Sequence, residues 1–245
     1  PKIGNPDMGV TAENVLKEYP ISREKLDEFA LASHRKAVNA IDEGRFKEQI
    51  LPVPIRVKRE ERMFDTDECP RRDASMEQLS KLRPVFAKDG FVTAGNSCPM
   101  NDGASAVVIV SADKAEALGA QPLLKVKGFA SVGLDPALMG LGPIGAVRKV
   151  LDRTGVSLDE VAVIEINEAF ASQAVACIEQ LGPDPNRVNP DGGAIALGHA
   201  LGSTGAALTT KAAYWMKNNA SGGKYALVTM CVGGGEGSAA IFERP

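Results

Sequence analysis

The stretch 192–206, GGAIALGHALGSTGA, sets five glycines in fifteen residues around one of the chain's two histidines. Glycine reaches positive φ and lets backbone come close to a ligand or another segment, at a cost in chain entropy. So dense a cluster requires the rest of the chain to hold a tightly turned backbone in place. Its histidine, His199, is the side-chain type that titrates nearest neutral pH. Taken alone, a single histidine is more often a structural residue than a catalyst, and a glycine-rich loop beside a helix is often only a packing turn. Two further stretches shift that balance. Asn167-Glu168-Ala169-Phe170-Ala171 follows one apolar run and Cys231-Val232-Gly233-Gly234-Gly235 follows another, both read as turns where a strand ends. Ligands of open α/β sheets gather at the carboxyl ends of strands, so three turns can bring polar groups to one place.

The remaining pattern fits such a sheet. Thr11 is placed to cap a short helix that ends before Pro20. Ser22 opens a longer one in which Leu26, Phe29, Ala30, Ala37, Ala40 and Ile41 recur at helical spacing, and Gly44 closes it. From 50 to 72 acids, arginines and prolines alternate, which reads as an exposed excursion. Ser75 and Gln78 have capping-box spacing. The polar loop 92–102 feeds an apolar strand at 104–110, and Ser111 caps a helix ending at Gly119. A domain boundary is placed at Gln121-Pro122. Beyond it come a strand at 123–132, a helix from Pro143 to Arg153 stopped by Gly155, and a capping box at Ser157 and Glu160. A buried strand at 161–166, a helix at 169–181 and a helix after Gly202 follow, then two adjacent strands, 225–230 and 238–242. Alternating strands and helices predict an α/β layered fold.

Composition narrows the function classes. The chain has 245 residues, 44% of them hydrophobic, enough for one large domain or two modest ones. Its 28 basic and 31 acidic residues leave a net charge of −3, so neither nucleic acid nor an anionic membrane is an expected partner. No apolar run reaches the roughly 20 residues of a membrane span. The four cysteines, Cys69, Cys98, Cys177 and Cys231, form no CxxC pair. A structural metal site is not expected, and a reducing compartment such as the cytoplasm is. The first residue, Pro1, is not an initiator Met, so the sequence is read as starting inside a longer protein.

Together, NEAFA at Asn167, GGAIALGH ending at His199 and CVGGGEG at Cys231 resemble the thiolase family in order and spacing. MGVTAEN at Met8, KLRP at Lys81 and the stretch from Thr93 to Asn96 extend the resemblance over essentially the whole chain. It implies a thiolase-like layered αβαβα fold. Residues 1–100 would be the loop domain and its connections, 101–120 the last strand and helix of the N-terminal domain, and 121–245 the complete C-terminal domain.

The implied activity is acyl transfer: thiolytic cleavage of 3-oxoacyl-CoA, or the reverse Claisen condensation, through an acyl-cysteine. Coenzyme A enters as substrate, with no permanently bound cofactor. His199 would activate the nucleophile and donate to an oxyanion. Asn167 would hold the water that completes that oxyanion site. Cys231 would exchange the α-carbon proton, with a thiol pKa drawn toward neutrality, and the Gly233 N–H would serve a second oxyanion. Met8, Met139 and Phe170 would line the acyl pocket, each with plain core packing as the equal alternative.

Ser97 and Cys98 would lie beside the pantetheine arm, Cys98 standing where the family has serine. Arg59 or a neighbour in the charged excursion would meet the nucleotide phosphates. Ala200 replaces the proline that follows the family's histidine. The family's nucleophilic cysteine matches none of these four and would come from an N-terminal region outside this sequence. A targeting segment for mitochondrion or peroxisome would lie there too. Family members pair as dimers or tetramers. The competing reading is a non-catalytic, thiolase-like scaffold that binds CoA esters.

Overall fold

The computed structural model describes residues 6–219 and 223–245. Helices α1 (Met8–Glu18) and α2 (Arg23–Asp42) come first. Asp7, not Thr11, caps α1: its carboxylate accepts from the Gly9 N–H, while Thr11 is buried inside the helix and turns its hydroxyl to the Met8 carbonyl. Ser22 caps α2 as expected. The charged excursion contains an antiparallel hairpin, β1 (Val53–Val57) and β2 (Glu60–Phe64), with Lys58 at positive φ in its turn. It is exposed almost throughout, and both faces carry charge, so alternation gave no inward face to recognise. Short helices α3 (Met76–Ser80) and α4 (Ala112–Ala117) follow, each with its serine cap.

The expected strand at 104–110 is absent. The segment has no strand partner, with Val108 91% and Ile109 76% exposed. Apolar β-branched residues favour a strand only when a neighbouring strand completes the ladder, and among the described residues none lies alongside.

After this come β3 (Lys125–Gly133), α5 (Gly142–Thr154), β4 (Val161–Ile166), α6 (Ala171–Leu181), the single turn α7 (Ala194–Leu197), α8 (Thr204–Asn218), β5 (Tyr225–Val232) and β6 (Glu236–Glu243). The four long strands form one mixed sheet in the order β3-β6-β5-β4, with β4 and β5 parallel and the other pairs antiparallel. One face buries Val147 and Val150 of α5 with Ile164, Ile166, Leu227 and Ile241. The other buries Leu208, Ala212 and Met216 of α8 against Val163, Ala226 and Val228. Strands β4 and β5 thus bury apolar residues on both faces, as the centre of a sheet between helix layers must. A separate cluster joins α1, α2 and α6 through Val15, Leu26, Ala30 and Val175.

Two details set the site. The outer edge of β4 is covered by Asn189: its N–H donates to the Ile164 carbonyl, and its side-chain amide both accepts from the Ile166 N–H and donates to the Ile166 carbonyl. And α6 starts at Ala171, two residues later than the expected 169. Phe170 is extended and bridges to Ser97, and the Ala169 carbonyl accepts from the Cys98 N–H.

Candidate active site

Asn167 is the first residue beyond β4, and its N–H continues the ladder by donating to the Thr229 carbonyl of β5 at 3.0 Å. Cys231 lies two residues further along β5, and Gly233 follows in the turn to β6. The loop 96–100 crosses this end of the sheet. The Ala171 N–H donates to the Asn96 carbonyl, the Cys98 N–H to the Ala169 carbonyl, and the His199 N–H to the Pro99 carbonyl at 3.1 Å. His199, 32 residues from Asn167, therefore returns to it: His199 Nε2 is 3.5 Å from Asn167 Nδ2.

The histidine's other nitrogen is held as closely. Nδ1 is 2.7 Å from the Thr204 hydroxyl, which donates its single proton to the Ala200 carbonyl at 2.9 Å. With the hydroxyl proton on the Ala200 carbonyl, Nδ1 is the ring's donor to Thr204 and Nε2 keeps its lone pair toward Asn167, the tautomer a proton acceptor needs. Burial holds the imidazole below its ordinary pKa. Asn167 is fully buried, and its Oδ1 has no hydrogen-bond partner among the described residues.

Glu168 points the opposite way. Its carboxylate accepts from Ser33 Oγ of α2 (2.6 Å), Asn189 Nδ2 (2.8 Å) and the Ile195 N–H of α7 (3.2 Å). A Cβ on Gly193 would overlap this carboxylate, which explains one glycine of the run. A second, Gly198, has φ +97° and turns the chain from α7 into His199, with Asn101 packed against it. The motifs gave Asn167 a role and left its neighbour Glu168 and the ring partner Thr204 without one. The signal available for Glu168 was its place in the same motif; for Thr204 it was a hydroxyl five residues after the histidine.

Met8, Met139, Phe170 and Cys231 share one apolar cluster with Ala12 and Val92, and Met8 also lies over Gly233. Gly233 is exposed. Phe170 stacks edge-on against Phe86, with ring centroids 6.3 Å apart. The expectation of a near-neutral Cys231 thiol is not met. Burial pushes it up to about 12, because the site brings it apolar side chains and no cation or helix N-terminus. Cys98 is pushed up to about 11 by the same cause. Ser97 spends its proton on the Thr93 carbonyl at 2.7 Å, leaving only its lone pairs for a ligand. Arg59 lies exposed in the turn of the β1–β2 hairpin.

Family models for the thiolase N-terminal domain and the thiolase C-terminal domain match residues 3–113 and 120–244. The chain belongs to the thiolase family. It is 52% identical over 238 residues to the beta-ketothiolase BktB of Cupriavidus necator, covering 97% of this chain and 60% of that protein. With the acetyl-CoA acetyltransferase of Pseudomonas aeruginosa it shares 48% identity over 239 residues, again 97% of this chain and 60% of the other. Among solved structures, the Bacillus anthracis acetyl-CoA acetyltransferase superposes with a TM-score of 0.94 at 43% identity, over 97% of this chain and 60% of that one. Human mitochondrial 3-ketoacyl-CoA thiolase in complex with CoA gives 0.91 at 41%, over 97% and 59%. This thiolase chain thus spans about 60% of the length of these relatives. Among its described residues no helix is long and apolar enough to cross a membrane.

Proposed function

We propose that this chain forms the greater part of an acyl-CoA acyltransferase that cleaves 3-oxoacyl-CoA with CoA, or runs the reverse condensation, with its nucleophilic cysteine supplied from outside the 245 residues. The observation that carries the reading is the 3.5 Å approach of His199 Nε2 to Asn167 Nδ2 at the sheet end that also bears Cys231 and Gly233. Neither Cys98 nor Cys69 is given the nucleophile's part. Cys98 is a half-buried thiol whose pKa is pushed up, and the Cys69 sulfur accepts from Asn101 Nδ2. Met8, Met139 and Phe170 are assigned to the acyl pocket on the strength of the apolar cluster they share with Cys231, and Ser97 and Cys98 to the pantetheine arm.

In the cleavage direction, His199 Nε2 takes the proton of the nucleophilic thiol, and the thiolate attacks the 3-oxo carbon. The Gly233 N–H stabilises the resulting oxyanion. Its collapse breaks the carbon–carbon bond and sends the electron pair to the α-carbon, forming an enolate of the shorter acyl-CoA. Protonated His199 and a water held by Asn167 stabilise the enolate oxygen. Cys231 gives its proton to the α-carbon, a task suited to a thiol that starts protonated at neutral pH. Its thiolate then takes the proton of incoming CoA, whose sulfur attacks the acyl-cysteine and releases the nucleophile, which His199 reprotonates.

Intact-mass measurement after incubation with acetyl-CoA tests this. Uptake of an acetyl group on a cysteine of a co-purifying or added N-terminal segment is the expected result. A homogeneous 245-residue species that binds CoA and never becomes part of an acylated assembly contradicts it, and makes the chain a CoA-ester-binding scaffold.

A further inference from the structure

Glu165 and Lys211 form the only ion pair among the described residues in which both side chains are less than a tenth exposed. Lys211 Nζ lies 2.7 Å from Glu165 Oε2 and donates to the Gly192 carbonyl at 2.5 Å. These partners sit on the elements that build the site. Glu165 is on β4, two residues before Asn167. Gly192 opens the glycine turn that leads to His199. Lys211 is on α8, two helical turns beyond Thr204 and on the same face. One ammonium group thus ties together the supports of the base, its amide neighbour and its hydroxyl partner.

Stability alone does not account for the pair. Removing two charges from water costs several kcal/mol per ion, and apolar side chains of similar volume are commonly as stable or more so. This face of the sheet already uses that solution, with Val163 and Val228 packed on Leu208 and Ala212. Glu165 Oε1, moreover, has no partner among the described residues, so the pair is held at some cost.

We propose that Lys211 is a positioning residue: paired with Glu165 and bonded to the Gly192 carbonyl, it fixes the glycine turn against β4 so that His199 Nε2 faces Asn167. The proposal rests on the reading of His199 as the proton acceptor. The test reads the ring directly and involves no turnover, so the two can fail separately.

The double variant Glu165→Leu with Lys211→Met fills the space with apolar groups and leaves no unpaired charge. In the ¹⁵N-labelled 245-residue chain, two-bond imidazole spectra report the tautomer of each histidine. His34, on α2 with its Nδ1 accepting from the Arg71 N–H, is the internal reference. The expected result is a folded variant in which His34 keeps its pattern and His199 loses its single Nδ1–H pattern. Lys211→Met alone, if it folds, should do the same. A folded variant with an unaltered His199 overturns the proposal. So does failure of both variants to fold, which would make the pair a stability element.

Discussion

Two oxygens, those of Thr204 and Ala200, compete for one hydroxyl proton, and its place sets which nitrogen of His199 is basic. The hydroxyl passes its proton to the Ala200 carbonyl and leaves Nδ1–H as the ring's donor. Replacing Thr204 by Val removes that acceptor, and the fraction of rings with a free Nε2 lone pair should fall. We expect acyl transfer in the complete enzyme to drop at least about tenfold, roughly 1.4 kcal/mol of barrier, with little change in melting temperature. Because burial holds the imidazole below its ordinary 6.5, the neutral ring persists to more acidic pH than a free histidine would. The acid limb of the rate profile should therefore have its midpoint below that value; a midpoint above it would mean that a neighbouring negative charge governs the ring. The cysteines can be ranked in the same way. Cys231, at about 12, and the deeply buried Cys177, also raised, should alkylate far more slowly at pH 8 than the half-buried Cys69.

Elements with caps and an apolar stripe were legible in the sequence. Ser22, Ser75 and Ser111 each accept from the backbone N–H three residues on, and Gly44, Gly119 and Gly155 each end a helix at positive φ. Strands β4 and β5 were visible because both their faces are buried. What stayed hidden was whatever depends on a distant partner. Residues 104–110 have strand composition but no neighbour to pair with, the two-faced charge of the hairpin concealed β1 and β2, and residues 169–170 gave up helix for pairing with 97–98. Within the site, His199, Asn167, Cys231 and Gly233 were named from motif chemistry. Thr204, Glu168 and the Glu165–Lys211 pair were not, since their contacts join residues 5 to 135 apart in the chain. The start of β6 offers a test at this scale. A Cβ on Gly237 would overlap the Gly142 carbonyl at the start of α5, and backbone cannot swing aside as a side chain does. Gly237→Ala should cost about 1–3 kcal/mol of stability, read by denaturant unfolding, and should disturb the nearby Gly233 turn.

Over the whole molecule, one end of the sheet carries the polar groups, while the segment 104–110 leaves Val107, Val108, Ile109 and Val110 facing solvent. Exposed β-branched runs of this kind are pairing surfaces. Backbone amides of 105–110 should exchange rapidly in the isolated chain and become protected when a segment matching the rest of a thiolase relative, of which this chain covers 60%, is supplied; unchanged exchange would place the pairing surface elsewhere. We propose a division of labour in which His199 serves the nucleophile and Cys231 the α-carbon. The deciding measurement compares cysteine acylation with carbon–carbon bond turnover in the complete enzyme carrying Cys231→Ala. Acylation close to that of the unaltered enzyme with turnover abolished is the predicted result. Normal turnover, or acylation lost along with it, would contradict the assignment.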